Sequence, residues 1–386
     1  MKEASDLPGK FAAVVAVCLG SFLSSLTYAQ TLPQKDGKPL MPDEWLFSPG
    51  QSFHYRFPAA NNGRRLRERA PSPREAKAAE AIERYFSEIP SKAYLLGDGD
   101  TIVKVSFKAP ASSTSTLLSA SIDKTVTAMS AGIAVCDGKI KMETKAKELL
   151  PELAGTHIGE STLRDNLMMA SGTVNAMDDS QSLTRDELAG LVTGKISLMD
   201  LMRGRLGQQQ GWQKPGEIFS YKTQDPTLVG MLVSAAYGKN GKDFREWQTE
   251  HFFSKMGLND RRFQGRDQFG YAWAEGNTRL TLHDWARFAL FVQESRKKDD
   301  CFGNFVRKGT TTQIKTDRRF AKMYGGYGYL TWTDNDDIPN SYSALGYGGQ
   351  AIVWSTKSDK YFIVFSNNIN PPEVHKMARL WLDAED

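Results

Sequence analysis

Hydrophobic and polar positions change their period three times along the chain. From Arg74 to Ser87, REAKAAEAIERYFS carries apolar residues at helical spacing and predicts a helix. Lys92–Leu96 and Thr101–Phe107 are β-prone runs. The residues between them, Gly97-Asp98-Gly99-Asp100, tolerate positive φ, so a hairpin is expected. From about Ser121 to Leu258 the period is mostly helical, with segments near 121–137, 185–204, 224–237 and 243–256. After Phe269 the pattern mixes. A helix is expected at Leu282–Glu294, strands near Tyr327–Trp332, at Ile352–Trp354 and at Tyr361–Phe365, and a closing helix at Pro372–Leu382. Strands towards both ends around a helical block predict an α+β fold: an antiparallel sheet flanked by helices, with a large all-α insertion. On this reading 74–118 and 268–386 form the α/β lobe and 119–267 the helical lobe.

The residues before 74 follow neither period. Lys10 precedes the apolar run Phe11–Leu26, and Thr27-Tyr28-Ala29 then offers small residues at an A-x-A-like site. That order predicts a secretory signal peptide over 1–29, cleaved near Ala29. An anchor helix is the alternative, but the run is short for a span and carries Ser21, Ser24 and Ser25. The mature protein is therefore expected to be secreted or periplasmic, with no membrane span left. Residues 30–73 are rich in Pro, Gly, Asn and Arg and predict an extended or partly disordered N-terminal arm.

Composition narrows the function classes. The 386 residues are 40% hydrophobic and 24% charged, enough for a full core. The net charge of +4 is spread out. Its visible cluster, Arg64, Arg65, Arg67 and Arg69, has no interleaved aromatics, so no nucleic-acid partner is expected. Cys18 leaves with the signal. Cys136 and Cys301 either pair or, Cys136 being on an apolar helix face, stay buried thiols. There is no CxxC, and the five histidines are scattered without HExxH, so no metal site is expected.

S-x-x-K occurs twice. Ser295-Arg-Lys-Lys298 lies in the charge run QESRKKDD and reads as a solvated tail. Ser121-Ile-Asp-Lys124 opens the helix SIDKTVTAMSAGIAVCDG, with Gly138 as its C-cap candidate. A serine there is either an N-cap or a nucleophile. Residues at i and i+3 share a helix face, so Lys124 can reach the Ser121 hydroxyl. A desolvated lysine loses its proton more easily and can then take that of serine. Tyr221, in GEIFSYKT on the loop before QDPTLVGMLVSAA, is either a core tyrosine or a group exchanging protons with Ser121 and the leaving group. Gly346-Tyr347-Gly348-Gly349-Gln350 runs into a strand. It is either a plain turn or a place where backbone N–H groups meet a substrate carbonyl.

S-x-x-K, a Y-x-[NS]-like motif a hundred residues on, and a Gly-rich pre-strand motif, in that order, resemble the penicillin-recognising serine hydrolases. The chain looks most like the class C β-lactamase branch, with its esterases, D-peptidases and 6-aminohexanoate-dimer hydrolases. PELAG at 151–155, STLRDNLMMASG at 161–172, LTLHDWARF at 280–288 and LGYGGQAIVW extend the likeness from about Glu80 to the C-terminus. It implies a β-lactamase/transpeptidase-like fold. It implies Ser121 as acylated nucleophile, Lys124 as its proton acceptor and Tyr221 as second acid/base group. It also implies an oxyanion hole from the Ser121 amide and one of Tyr347, Gly348 or Gly349. No metal or organic cofactor is implied, and the partner is a small ester, amide or peptide. Oligomeric state is not legible.

The chain departs from the family pattern in two places. The K-T-G box has no clean match, so the place of its lysine falls to Tyr347 or Ala344, and Thr223 replaces the usual Asn or Ser. Ester or linear-amide hydrolysis is therefore expected ahead of β-lactamase or DD-peptidase action, with an inactive binding protein on the same fold as the alternative of another class. A pocket rim of Tyr324, Tyr327, Tyr342 and Tyr347 is expected, with Arg318 or Arg319 available to restore a positive charge.

Overall fold

Nine strands drawn from both ends of the chain form one sheet that carries helices on both faces. The computed structural model describes residues 63–174, 184–258, 262–318, 321–367 and 371–384, with backbone alone at 34–35, 38–39 and 54–57. The expected signal peptide, its cleavage point near Ala29 and most of the expected arm lie outside the described residues. The helices include α1 (Pro73–Glu88), α2 (Ile122–Cys136), α3 (Arg185–Thr193), α4 (Leu198–Arg203), α5 (Gln224–Ala236), α6 (Phe244–Trp247), α7 (Leu282–Lys297), α8 (Cys301–Gly309) and α9 (Pro371–Leu382). Besides a two-residue pair at Gln34–Lys35 and Lys38–Pro39, the strands are β1 (His54–Phe57), β2 (Arg67–Glu68), β3 (Ser91–Asp98), β4 (Thr101–Phe107), β5 (Thr116–Leu118), β6 (Arg262–Gly265), β7 (Thr278–Thr281), β8 (Ile314–Lys315), β9 (Tyr324–Tyr327), β10 (Trp332–Asn335), β11 (Ser341–Gly346), β12 (Gln350–Ser355) and β13 (Lys360–Ser366).

The large sheet has the order β8-β9-β10-β11-β12-β13-β3-β4-β2. Its neighbours are antiparallel except β4 and β2, which run parallel. A small antiparallel sheet, β1-β6-β7-β5, stands beside it. The fold is thus the α+β arrangement expected, a sheet flanked by helices.

Successive side chains on a strand face opposite ways, and in the central strands β12 and β13 both faces are buried. Tyr94 and Leu96, Ala351 and Val353, and Phe362 and Val364 pack on α1 and α9 through Ile82, Phe86, Met377 and Trp381. The alternate residues, Leu95, Ile352, Trp354, Ile363 and Phe365, join the core with Val126, Met129 and Trp285 of α2 and α7. Burial on both sides explains why Tyr361–Phe365 reads as an unbroken apolar run. The start of α1 is fixed by Pro73 and by a reciprocal cap between Ser72 and Glu75.

Several elements differ from the sequence reading. The helix expected over 185–204 is two, because Gly194 takes φ 67° and ends α3. The segment 243–256 is α6 followed by a π-helical stretch, Gln248–Phe253, and one short turn. The strand expected at Tyr327–Trp332 is the turn between β9 and β10. There Leu330 has φ 49°, its N–H donates to the Leu167 carbonyl at 2.7 Å, and its own carbonyl accepts from Thr125 at 2.8 Å. Ser295 is not in a solvated tail; it lies inside α7, 1% exposed.

Three of the four N-terminal arginines are paired within the protein itself. Arg64 pairs with Glu294, Arg67 with Asp100, and Arg69 with Glu75 and Asp98. Cys136 and Cys301 are joined in a disulfide, which ties the last residue of α2 to the first of α8. Among the described residues no helix is long and apolar enough to cross a membrane, and no group of three His, Cys, Asp or Glu side chains is gathered to hold a metal.

Candidate active site

Ser121 stands at the entrance of α2, half-buried, on a turn whose preceding residue is strained. Ala120 has φ 42°, a region that residues with a Cβ seldom occupy. The turn is held from outside. The Ser119 N–H donates to the Thr278 carbonyl at 2.8 Å, and the Thr278 N–H donates to Ser119 Oγ at 3.2 Å, so β7 clamps the approach to the helix. Ser121 makes no side-chain cap to the helix. Its Oγ instead accepts a hydrogen bond from Lys124 Nζ at 2.8 Å, one turn along.

Lys124 is 1% exposed, and its Nζ also donates to the Glu275 backbone carbonyl at 3.1 Å. Burial makes the ammonium easier to deprotonate than an ordinary lysine, against the opposing pull of Glu275 and Asp123. Tyr221, also buried, lies with its ring centroid 5.0 Å from Lys124 Nζ, and its hydroxyl is hydrogen-bonded with Ser121. Burial pushes the Tyr221 phenol above its usual range, with the Ser121 hydrogen bond working the other way. One neighbour of Ser121 is thus tuned towards a base and the other held as an acid.

The Gly-rich segment is the hairpin between β11 and β12, closed by the pair Gly346–Gln350. Tyr347, Gly348 and Gly349 are the turn itself, with φ 81° and 88° at the two glycines. The strand end before these residues packs on the turn that carries Ser121. A Cβ on Gly346 would lie 2.5 Å from the Ser119 carbonyl oxygen and 3.0 Å from Ala120 Cβ. Only glycine allows this approach of two backbones. Tyr347, by contrast, is 51% exposed at the tip, and the Gly348 carbonyl accepts from Ser366 Oγ. The register of β11 on β12 therefore sets Gly346 against the approach to Ser121, with Tyr347 directly after it.

The expected aromatic rim is corrected. Tyr324, Tyr327 and Tyr342 are core residues. Tyr324 is bonded to His375 Nε2 at 3.0 Å, and Tyr342 stacks on Trp354. Of the four tyrosines only Tyr347 reaches solvent. Arg318 is tied to Asp336, and Arg319 lies outside the described residues. Ala344 is buried in β11, and Thr223 is fully buried, its Oγ1 without a hydrogen-bond partner.

Three groups around the site were missed in the sequence. Asp123, inside S-x-x-K, accepts from Arg245 Nη2 at 2.8 Å, from the Asn277 N–H at 3.0 Å and from Thr278 Oγ1 at 2.7 Å. It binds α2, α6 and β7 at one point. Lys222 donates to Ser171 Oγ at 3.3 Å and to the Thr173 carbonyl at 3.2 Å, while Asp225 accepts from Ser171 Oγ at 2.6 Å. Glu275 is wholly buried behind Lys124. Glu275 left a signal as the single charge after the apolar run Tyr271-Ala-Trp-Ala274, whereas Asp123, Lys222 and Asp225 sit in polar segments that do not mark them out. Buried charges persist only where they are partnered or used.

Comparison with known proteins gives the family and the fold. The family model described as Beta-lactamase matches residues 80–386. The 6-aminohexanoate-dimer hydrolase of Paenarthrobacter ureafaciens is 23% identical over 372 residues, covering 88% of this chain and 91% of that one. A structure from Bacillus anthracis, of a protein proposed to be a 6-aminohexanoate-dimer hydrolase, superposes with TM-score 0.67 at 16% identity over 86% of this chain and 90% of its own. A class C beta-lactamase gives TM-score 0.62 at 11% identity over 81% and 99%. At these identities the two structures establish the β-lactamase-like fold alone.

Proposed function

Because the chain belongs to the beta-lactamase family of serine hydrolases, we propose that it is an exported enzyme that forms an acyl-enzyme on Ser121 and hydrolyses a carboxylic ester or a linear amide. The observation that carries this reading is the position of the Ser121 hydroxyl. It caps nothing, and it is bonded both to a buried lysine and to a buried tyrosine.

In the proposed cycle the Lys124 amine takes the Ser121 proton as Oγ bonds to the substrate carbonyl carbon. The amide of Ser121 and an amide at the Gly346 end of β11 hold the developing oxyanion, helped by the N-terminus of α2. Tyr221 passes a proton to the leaving oxygen or nitrogen as its bond to carbon breaks, and is reprotonated from the Lys124 ammonium. The acyl group stays on Ser121. Water then attacks the ester, gives up its proton to the same pair, and Ser121 is released with its proton restored.

Preference for neutral substrates rests on what faces the hairpin. The β11 end carries Ala344, Gly346 and Tyr347 in place of a lysine, and Arg318 is engaged by Asp336. A substrate carboxylate would lose a charge-assisted hydrogen bond worth about 1.5–3 kcal/mol, roughly ten- to a hundredfold in rate. Export is supported by the disulfide between Cys136 and Cys301, a bond that persists in oxidising compartments. The test compares kcat/KM for a short-chain p-nitrophenyl ester and a chromogenic cephalosporin, together with mass-spectrometric mapping of a fluorophosphonate adduct. An adduct on Ser121 and faster ester turnover are expected. Full activity in Ser121→Ala, or an adduct elsewhere, would refute the nucleophile; faster cephalosporin turnover would refute the preference.

A further inference from the structure

Glu275 lies on the turn leading into β7, and α2 fixes that turn at three points. Thr127 Oγ1 donates to the Ala274 carbonyl at 2.7 Å, Lys124 Nζ donates to the Glu275 carbonyl at 3.1 Å, and Asp123 accepts the Asn277 N–H at 3.0 Å. The side chain reaches α5, where Thr227 Oγ1 donates to Oε2 at 3.0 Å. Its other oxygen, Oε1, is fully buried with no hydrogen-bond partner. A carboxylate in such a place is costly unless a cation stands close by. The charged and titratable groups facing it are Lys124 and Asp123 from α2 and Tyr221 from the loop before α5. Arg245 of α6 is already engaged by Asp123. Lys124 therefore supplies the positive charge.

Resting on the acylation of Ser121 proposed above, we propose that Glu275 is a positioning residue of the reaction: its carboxylate is the counter-charge that keeps a proton on Lys124, and so sets the pH at which Lys124 becomes the base. Ser121 and the substrate meet Lys124, not Glu275. The two buried groups oppose one another. Burial favours the neutral form of each, while the charge of each favours the charged form of the other. The sign of the effect follows. Removing the negative charge leaves burial opposed by Asp123 alone at Lys124, so the free amine persists to lower pH. A carboxyl that only filled space would leave the protonation of Lys124 unchanged.

The test is the kcat/KM–pH profile for a short-chain p-nitrophenyl ester, measured on the full chain for the wild type, Glu275→Gln and Glu275→Asp. The rate of Ser121 labelling by a fluorophosphonate is followed in parallel. In Glu275→Gln the acid limb should move to lower pH by roughly one unit, whereas Glu275→Asp, which retains the charge, should keep the limb near its wild-type position. Should Glu275→Gln fail to fold, Thr227→Val removes the hydroxyl that supports the carboxylate and should move the limb in the same direction by less. An unmoved limb in folded Glu275→Gln or Thr227→Val, or an equal shift in Glu275→Asp, overturns the proposal. Failure of the reading beneath it shows separately, as a wild-type protein that carries no adduct on Ser121.

Discussion

The ring of Tyr221 lies nearly parallel to that of Trp332, centroids 5.2 Å apart and planes 26° from each other. Tyr327 closes the other approach edge-on, its centroid 6.3 Å away. A phenol clamped between two rings from β9 and β10 has little freedom to swing, so its hydroxyl stays on Ser121.

That clamp predicts a graded loss. Tyr221→Phe should lower kcat by roughly 10²–10⁴-fold, the usual range for a lost acid/base group. Trp332→Leu should give a smaller loss in kcat with KM little changed, because the hydroxyl is present but loosely held. Steady-state kinetics with a p-nitrophenyl ester, beside a melting curve, separate the cases. Wild-type kcat in a Trp332→Leu protein of lowered Tm would reduce the stack to packing.

The two neighbours of Ser121 also fix the shape of the pH profile. In the proposed cycle Lys124 works as the amine, and burial lets it lose its proton below the ordinary lysine range. Activity should therefore rise with pH through a limb well under pH 10. In the same cycle Tyr221 works as the phenol, and burial raises it, so its ionisation should produce no falling limb below about pH 10. A kcat/KM profile corrected for spontaneous ester hydrolysis reads both limbs.

Asp123 and Arg245 form an ion pair with both side chains wholly buried. Removing one partner of such a pair strands the other charge and costs about 3–5 kcal/mol. Asp123→Ala should lose that much in urea denaturation. It should also lose activity, since the same carboxylate holds the turn that carries Asn277 and Thr278. A loss below about 1 kcal/mol would mean that water or a shifted side chain replaces the carboxylate.

The disulfide closes a loop between residues 165 positions apart. Replacing Cys136 and Cys301 together by serine should lower stability by about 2–4 kcal/mol. Adding reductant to the wild type should bring its melting temperature close to that of the double variant. Insensitivity of the wild type to reductant under denaturing conditions would show that the bond does not form.

The fold was legible where one period dominates. Helix α1 shows its apolar stripe, and the runs Thr101–Phe107 and Tyr361–Phe365 show their β-propensity. It was illegible where tertiary contacts override local preference. Tyr327–Trp332 has the composition of a strand, yet hydrogen bonds from Leu330 to Leu167 and from Thr125 to Leu330 bend it into a turn. For the same reason the tyrosines expected at the rim went to the core: sequence gives their amphipathic character but not which side of a sheet they face. Around Ser121, the i,i+3 spacing of Lys124 is a local fact and reads directly. Glu275 and Arg245 come from over a hundred residues away, and only the packing of α2 against the turn before β7 brings them in. Gly346 was passed over because the need for glycine there is set by the backbone of Ser119 and Ala120, on another segment.

The large sheet has its own bearing on when the protein acquires a site. β13 lies between β12 and β3, pairing Ile363 with Leu95 on one side and with Ile352 on the other. Until residue 366 has been synthesised, the hairpin of β3 and β4 has no neighbour beyond β3, and the Gly346 hairpin has no frame to hold it beside Ser121. The growing polypeptide thus carries Ser121, its proposed nucleophile, for some 240 residues before the segments around it are in place, because contacts this distant in sequence form late. A chain cut after β12 would be left with two open strand edges rather than a smaller hydrolase.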